Sequence, residues 1–181
     1  GYWSRGLGDV YKRQAYYSKI KNVDQIIENI SNLKNPKGRF DLINFKTNKI
    51  IVDYAHTPES ISQVIKYVNP YFSKVVVLFG AGGNRDKEKR KLMGTASQLA
   101  DSVIVTNDNP RNEDPIQISN DILKGCDLSK TTVILDRKEA ITSAINELRE
   151  NSVLLVLGKG HEMYQEINNS HIPFNDNDFI N

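Results

Sequence analysis

The feature that most limits what this chain can fold into is a series of short, uniformly apolar runs separated by stretches of helical period. Val75-Val76-Val77 and Val153-Leu154-Leu155-Val156 show no alternation of apolar and polar residues, which is the pattern of strands buried on both faces. Strand-like runs at Phe40 to Asn44, Lys49 to Asp53, Lys74 to Phe79, Ser102 to Thr106, Thr132 to Leu135 and Ser152 to Leu157 take turns with helical patterns. The helices are expected at Pro58 to Val68, Lys87 to Ala100, Pro115 to Lys124 and Lys138 to Glu150. That alternation predicts a Rossmann-like, doubly wound α/β domain, a mostly parallel sheet with helices on both faces. Thr57-Pro58 and Asp114-Pro115 each set a capping side chain before a proline at the first helical position, which fixes two of the helix starts.

Ligands of open α/β sheets bind outside the carboxyl ends of the strands. Four predicted strands run straight into unusual polar loops: Asp53-Tyr54-Ala55-His56-Thr57-Pro58, Gly80 to Asp86, Asn107-Asp108-Asn109-Pro110-Arg111 and Gly158-Lys159-Gly160-His161-Glu162. The topology therefore gathers these four loops along one edge.

Each loop has a plain reading and a chemical one. Gly80-x-Gly82 is followed by Arg85 where a dinucleotide fingerprint needs its third glycine, so the glycines predict a tight turn rather than NAD binding. Arg85, Asp86, Lys87, Lys89, Arg90 and Lys91 follow at a predicted helix amino terminus, where exposed N–H groups favour an anion. Lys89 and Lys91 read as a solvated face. Gly158-Lys159-Gly160 is not a phosphate-binding P-loop, because the spacing and the Ser or Thr after the lysine are missing.

Asp108-Asn109-Pro110-Arg111 sets a carboxylate, an amide and a guanidinium on one rigid turn. Such a group suits a zwitterion, with Arg gripping a carboxylate and Asp accepting from an ammonium, although Asx-Pro turns also occur for purely structural reasons. Glu162 either completes the ammonium site or is a surface carboxylate. His56 and His161 lack partners at metal spacing, and His171 reads as structural or solvated.

Composition excludes other classes. Hydrophobic residues at 39% and charged residues at 25% fit a globular chain and not a disordered one. A net charge of +2 gives no electrostatic reason for a nucleic acid or an anionic membrane as partner. Cys126 is the single cysteine and reads as an inert thiol. No apolar run approaches the roughly 20 residues of a membrane-spanning helix, and no signal peptide opens the chain, so the cytoplasm is the expected compartment.

Taken in order, Asp-Tyr-Ala-His-Thr-Pro, Phe-Gly-x-Gly-Gly-x-Arg-Asp-Lys with Lys-Arg and Leu-Met-Gly beyond, Asp-Asn-Pro-Arg and Gly-Lys-Gly-His-Glu resemble the carboxyl-terminal domain of the Mur ligases of peptidoglycan synthesis. Its diaminopimelate-adding members come nearest. The resemblance covers about Asn35 to Asn181. It implies an ATP-dependent amide ligase in which a central domain activates a carboxylate of UDP-MurNAc-L-Ala-D-Glu and this domain brings the amino acid. By the same resemblance Arg85, Asp108, Asn109, Pro110, Arg111, Gly158 and Glu162 would contact meso-diaminopimelate. Arg39 and His56 would meet ATP at the domain interface, and Asp53 and Lys87 match positions implicated in activity. ATP and Mg2+ would be held mainly by the central domain. Arg111 argues for diaminopimelate, since lysine-adding relatives tend to replace that arginine.

The departures from the family set further expectations. Residues 1–14 follow no period and are expected to be a non-native or artefactual segment. Residues 15–38 resemble the tail of the central ATPase domain and a linker, with a helical pattern from Val23 to Leu33, and 39–181 the carboxyl-terminal domain, stopping short of the family's final helix. The polypeptide is expected to be a monomer, inactive as a ligase by itself. A lysine-adding homologue, a sibling Mur or folate ligase and a non-catalytic amino-acid-binding module are the other readings. Asp-Asn-Pro-Arg together with Gly-Lys-Gly-His-Glu speaks against the siblings.

Overall fold

The structure, a computed structural model, describes residues 36–181. The expected helix from Val23 to Leu33 and the segment 1–14 lie outside the described residues, as does all but the end of 15–38.

Six strands form one sheet: β1 (Asp41–Phe45), β2 (Asn48–Asp53), β3 (Lys74–Phe79), β4 (Ser102–Val105), β5 (Thr131–Val133) and β6 (Ser152–Leu157). Their spatial order is β1-β2-β6-β3-β4-β5. Only β1 runs antiparallel, folding back on β2; the other pairs are parallel. The two uninterrupted apolar runs, β3 and β6, are direct neighbours at the centre, where both faces are covered.

The period of two sorts each central strand between two cores. Ile51, Val75, Val77, Phe79, Val103, Val153, Leu155 and Leu157 face one side and Ile50, Val52, Val76, Leu78, Ile104, Leu154 and Val156 the other. Each such side chain contributes about 1.5 to 3 kcal/mol when fully buried. Helices α1 (Pro58–Val68), α2 (Glu88–Ser97) and α3 (Pro115–Leu123) supply the first core with Ile61, Val64, Ile65, Met93, Ile118 and Ile122. Helix α4 (Arg137–Asn146) covers the second with Ala140, Ile141 and Ala144. The doubly wound expectation therefore holds.

The caps read from sequence are present. Thr57 accepts from the Ser60 N–H in a reciprocal capping box, and Asp114 accepts from the Ile116 N–H. Three helices differ at their ends. The helix expected from Lys87 begins at Glu88 and stops at Ser97; the one expected from Lys138 to Glu150 runs from Arg137 to Asn146, because Asp136 caps it by accepting from the Glu139 N–H. The one after Asp114 ends one residue early, at Leu123.

Beyond β6 the chain forms elements the periodicity does not announce: a hairpin of β7 (Tyr164–Ile167) and β8 (Ser170–Pro173), then a short helix α5 (Asp176–Ile180). The hairpin is tied to the loop after β4. Arg111 bridges Ile167, its N–H donating to the Glu166 carbonyl and its own carbonyl accepting from Asn168.

Candidate functional site

The loops that follow β2, β3, β4 and β6 meet at the carboxyl edge of the sheet, as the topology requires. The Gly83 N–H donates to the Asn109 carbonyl at 2.8 Å, and the Gly158 N–H donates to the Asp53 carbonyl at 3.0 Å. A Cβ added at Gly83 would lie 1.8 Å from the Pro110 carbonyl oxygen, so only a glycine lets those two loops approach this closely.

Two arginines flank the first of these loops. A Cβ placed on Gly82 would lie 2.9 Å from Arg111 NH1 and 3.5 Å from Arg85 Cγ. Arg111 sits at φ 53°, in the left-handed region, and its guanidinium is fixed on two sides. NH1 donates to the Gly83 carbonyl at 2.8 Å, and Nε pairs with Glu166 Oε2 at 2.8 Å. Arg85 is exposed.

The opposite pole is acidic. Asp108 and Asn109 are buried, at 8% and 5% exposure, and Gly158 at φ +110° passes so close that an added Cβ would lie 2.5 Å from Asp108 Oδ2. Burial pushes the Asp108 carboxyl above the usual carboxylate range, against the opposing charges of Arg137 and Lys159. Glu162 accepts from Asn109 Nδ2 at 2.8 Å and from Lys159 Nζ at 2.9 Å. Burial acts to raise the Glu162 carboxyl, but those bonds and the Lys159 and His161 charges outweigh it, and the net shift is downward.

A third group gathers around Tyr54. The Arg39 guanidinium lies 4.5 Å from the centre of its ring, within cation–π range. His56 and His161 pack their rings 4.6 Å and 5.4 Å from it. His56 Nδ1 is 2.7 Å from the Tyr54 carbonyl oxygen. Asp53 closes the turn from behind, accepting from the N–H groups of Phe40 and Ala55, both at 2.8 Å. Burial lifts its carboxyl more than those bonds and the Arg39 charge lower it. An exposed imidazole beside a cation stacked on an aromatic ring suits a nucleotide's base or phosphates. Among the described residues no three His, Cys, Asp or Glu side chains gather as a metal site, and no helix is long and apolar enough to cross a membrane.

The structure thus brings Arg85, Asp108, Asn109, Pro110, Arg111, Gly158 and Glu162 to one rim, with Arg39, Asp53 and His56 joined to it through the Asp53–Gly158 bond. Lys87 stands outside. Its ammonium is exposed and pairs with Glu113 at 3.4 Å, and Lys89 and Lys91 are exposed as their pattern predicts. Arg90, grouped in the sequence with these cations at an anion-favouring helix start, does not face outward with them. At 1% exposure it lies inside, clamping Glu113 with bonds of 3.0 and 3.1 Å and reaching Asp121 and the Gly82 carbonyl. Its spacing to Met93, Gly94 and Ser97, which are the other buried residues of α2, was the available signal.

Other contributors carry no motif of their own. Lys159, dismissed as a P-loop lysine, is fully buried. Glu166 and Gln165 come from the unannounced hairpin, with Gln165 Nε2 donating to the Asp108 carbonyl at 2.9 Å. Arg137 supports the rim from the other face by donating to the carbonyls of Asn107 and Leu157.

Comparison with known proteins places the chain in one family. The Mur ligase glutamate ligase domain matches residues 38–160. UDP-N-acetylmuramoyl-L-alanyl-D-glutamate–2,6-diaminopimelate ligase of Rickettsia prowazekii is 46% identical over 169 residues, covering 91% of this chain and 35% of the relative. The ligase of the same name from Aquifex aeolicus is 40% identical over 164 residues, 88% of this chain and 34% of the relative. A solved structure of a ligase of that name superposes with a TM-score of 0.76 at 35% identity, over 93% of this chain and 35% of the other. Folylpolyglutamate synthase of Mycobacterium tuberculosis, solved with ADP, shares the fold at TM-score 0.64 and 17% identity, over 80% of this chain and 34% of that one. The chain spans about a third of the length of the curated relatives it matches. On these matches and on the loops that carry them, the chain belongs to the Mur ligase family, of which it contains the glutamate ligase domain.

Proposed function

We propose that this chain is the amino-acid-binding domain of an ATP-dependent ligase that joins meso-diaminopimelate to UDP-MurNAc-L-Ala-D-Glu. In this reading residues 39–181 form the carboxyl-terminal domain, 15–38 the tail of a central ATPase domain and its linker, and 1–14 a non-native segment. The observation that carries it is the two-pole rim: Arg85 and Arg111 beside Gly82, and Asp108 beside Gly158 with Glu162 on the adjoining Asn109. A diamino dicarboxylic acid carries both charges at both ends, and charge-assisted hydrogen bonds are the strong ones.

Arg111 and Arg85 grip carboxylates, and Asp108 and Glu162 accept from an ammonium, with the Asn109 amide and the Pro110 backbone fixing the turn between them. With one ammonium so held, the molecule's other amino group, as the neutral amine after giving up a proton to solvent, is aimed at the activated carbonyl carbon; the new C–N bond forms as phosphate leaves and the nitrogen loses its second proton. ATP, when bound, supplies the phosphoryl group that activates the carboxylate. Arg39 and His56, arranged around Tyr54, contact the nucleotide where this domain meets the ATPase domain, Asp53 holds that turn, and Lys87, outside the rim and paired with Glu113, keeps the part in activity that the family likeness gives its position. ATP and Mg2+ would be held mainly by the central domain.

The test begins with the reading frame upstream of residue 15. An in-frame P-loop domain, and phosphate release by the encoded protein that needs both the UDP-dipeptide and meso-diaminopimelate, is the expected result. Release that needs lysine instead would favour the lysine-adding reading. A start codon just upstream of residue 15 with no ATPase domain would leave an amino-acid-binding module and overturn the ligase.

A further inference from the structure

The acidic pole of the rim is organised around a group that faces no solvent. Lys159 is fully buried, and its ammonium has three bonds: to Asn109 Oδ1 at 3.1 Å, Glu162 Oε2 at 2.9 Å and the Tyr164 carbonyl at 2.7 Å. An ammonium has three protons, so none is left for a ligand. Asn109 is turned by the same contact: its Oδ1 also accepts from the Glu166 N–H at 2.9 Å, and its Nδ2 donates to the very Glu162 oxygen that Lys159 holds. Both lone pairs of that amide oxygen and one oxygen of that carboxylate are engaged, which leaves the other Glu162 oxygen as the acceptor of the pair.

We propose that Lys159 is a positioning residue of the amino acid site: it does not touch substrate, but it fixes the Asn109 amide and the Glu162 carboxylate in one pose and supplies the buried cation bonded to Glu162. The inference rests on the amino-acid-binding reading above. It follows from the cost of burying an unpaired charge, which is avoided only when the charge is paired and fully hydrogen-bonded. Two carboxylates that share a site disfavour each other's charge; a buried cation bonded to one of them opposes that penalty before any ammonium arrives. The charged groups around the pair are Lys159, Arg137, Asp176 and His161. Arg137 is already engaged by Asp176 through bonds of 2.8 Å from both Nε and NH2, which leaves Lys159 as the cation bonded to Glu162.

The experiment compares Lys159→Met and Lys159→Gln with the parent in the full-length ligase, measuring KM for meso-diaminopimelate, KM for ATP and the pH profile of kcat/KM. Supporting residues of this kind cost about tenfold to a hundredfold when removed from metal sites, and the same rise is expected here in KM for diaminopimelate, with KM for ATP unmoved. The acid limb of the profile should move to higher pH, because the two carboxylates then hold their protons more tightly. Unchanged KM and an unchanged profile in either folded variant would overturn the proposal. So would equal losses for both substrates with an unmoved profile, since that is the signature of general destabilisation. If neither variant folds, 15N-correlated spectra of the unaltered chain decide: the Lys159 ammonium should keep slowly exchanging protons when meso-diaminopimelate is added, and a direct proton contact between the two would sink the idea. A parent ligase that ignores diaminopimelate would reject the functional reading, not this one.

Discussion

Arg111 Nε and Glu166 Oε2 lie 2.8 Å apart, and the pair joins the loop after β4 to a hairpin more than fifty residues further along. Together with the NH1 bond to Gly83, it fixes two of the guanidinium's three nitrogens, and NH2 is the nitrogen that would grip a carboxylate in the proposed site.

Replacing Arg111 by alanine removes that grip. Truncating one partner of a buried hydrogen-bonded charge pair costs about 2 to 5 kcal/mol, and Arg111 is partly exposed at 21%, so the low end applies. Steady-state kinetics of the full-length ligase should show KM for diaminopimelate raised about thirtyfold at about 2 kcal/mol. Arg111→Lys should recover little, since an ammonium cannot reproduce the planar fork. Kinetics unchanged by either variant would remove Arg111 from the site.

Gly158→Ala tests the contact between the β6 loop and Asp108. The new methyl would stand 2.5 Å from Asp108 Oδ2 on a backbone at φ +110°. A side chain forced into such a conformation costs about 1 to 3 kcal/mol, and relief by moving Asp108 would spoil the ammonium site. Urea denaturation should show the loss of stability, and calorimetry should show weakened diaminopimelate binding; a neutral result in both would mean the loop yields freely.

These two sites differ in how far the sequence displays them. The parallel sheet is legible because β3 and β6 have no polar face at all, and the four loops are legible because strand ends dictate where they go. The hairpin is not: its strands Tyr-Gln-Glu-Ile and Ser-His-Ile-Pro are half-buried and exposed respectively and carry no apolar alternation. Its turn, Asn168-Asn169, has φ of 48° and 59°, which suits a tight two-residue turn, but Asn-Asn is a weaker signal than Asn-Gly. Glu166 was hidden with it. Lys159 and Arg90 were hidden for another reason, since a cation in a polar stretch reads as solvated until the fold shows which partners surround it.

Acid should reach Glu113 after most other carboxylates. The Arg90 hydrogen bonds lead in lowering its carboxyl to about 2, aided by the Asn84 N–H and Lys87 and opposed by burial. A folded pKa below the unfolded one contributes stability that is present above the unfolded value and is lost as pH falls through the folded one. The contribution of Glu113 is therefore complete above about pH 4.5 and disappears towards about pH 2. Asp121, lowered chiefly by its bond from Lys124, acts in the same direction. Asp53 and Asp108, raised by burial, act in the opposite one. Melting temperatures of the parent and Glu113→Gln should differ most near neutrality and converge in strong acid; a gap that stays constant with pH would show that charge is not what Glu113 supplies.

The buried pair of Arg137 and Asp176 links stability to the site. Both side chains are fully enclosed, and Nε and NH2 of the arginine meet the two carboxylate oxygens at 2.8 Å, while NH1 and NH2 also donate to the carbonyls of Asn107 and Leu157. Those carbonyls belong to the residues just before Asp108 and Gly158, so α5 holds the rim through this arginine. Asp176→Ala should cost about 3 to 5 kcal/mol, because it strands a buried cation. The double change Arg137→Met with Asp176→Leu should recover much of that in urea denaturation, since an apolar pair of similar volume leaves no charge unpaired. Binding should separate the two roles: the double variant, though folded, lacks the two donors to the rim, and its affinity for diaminopimelate should stay below that of the parent. Parental affinity in the stable double variant would show that Arg137 serves the fold alone.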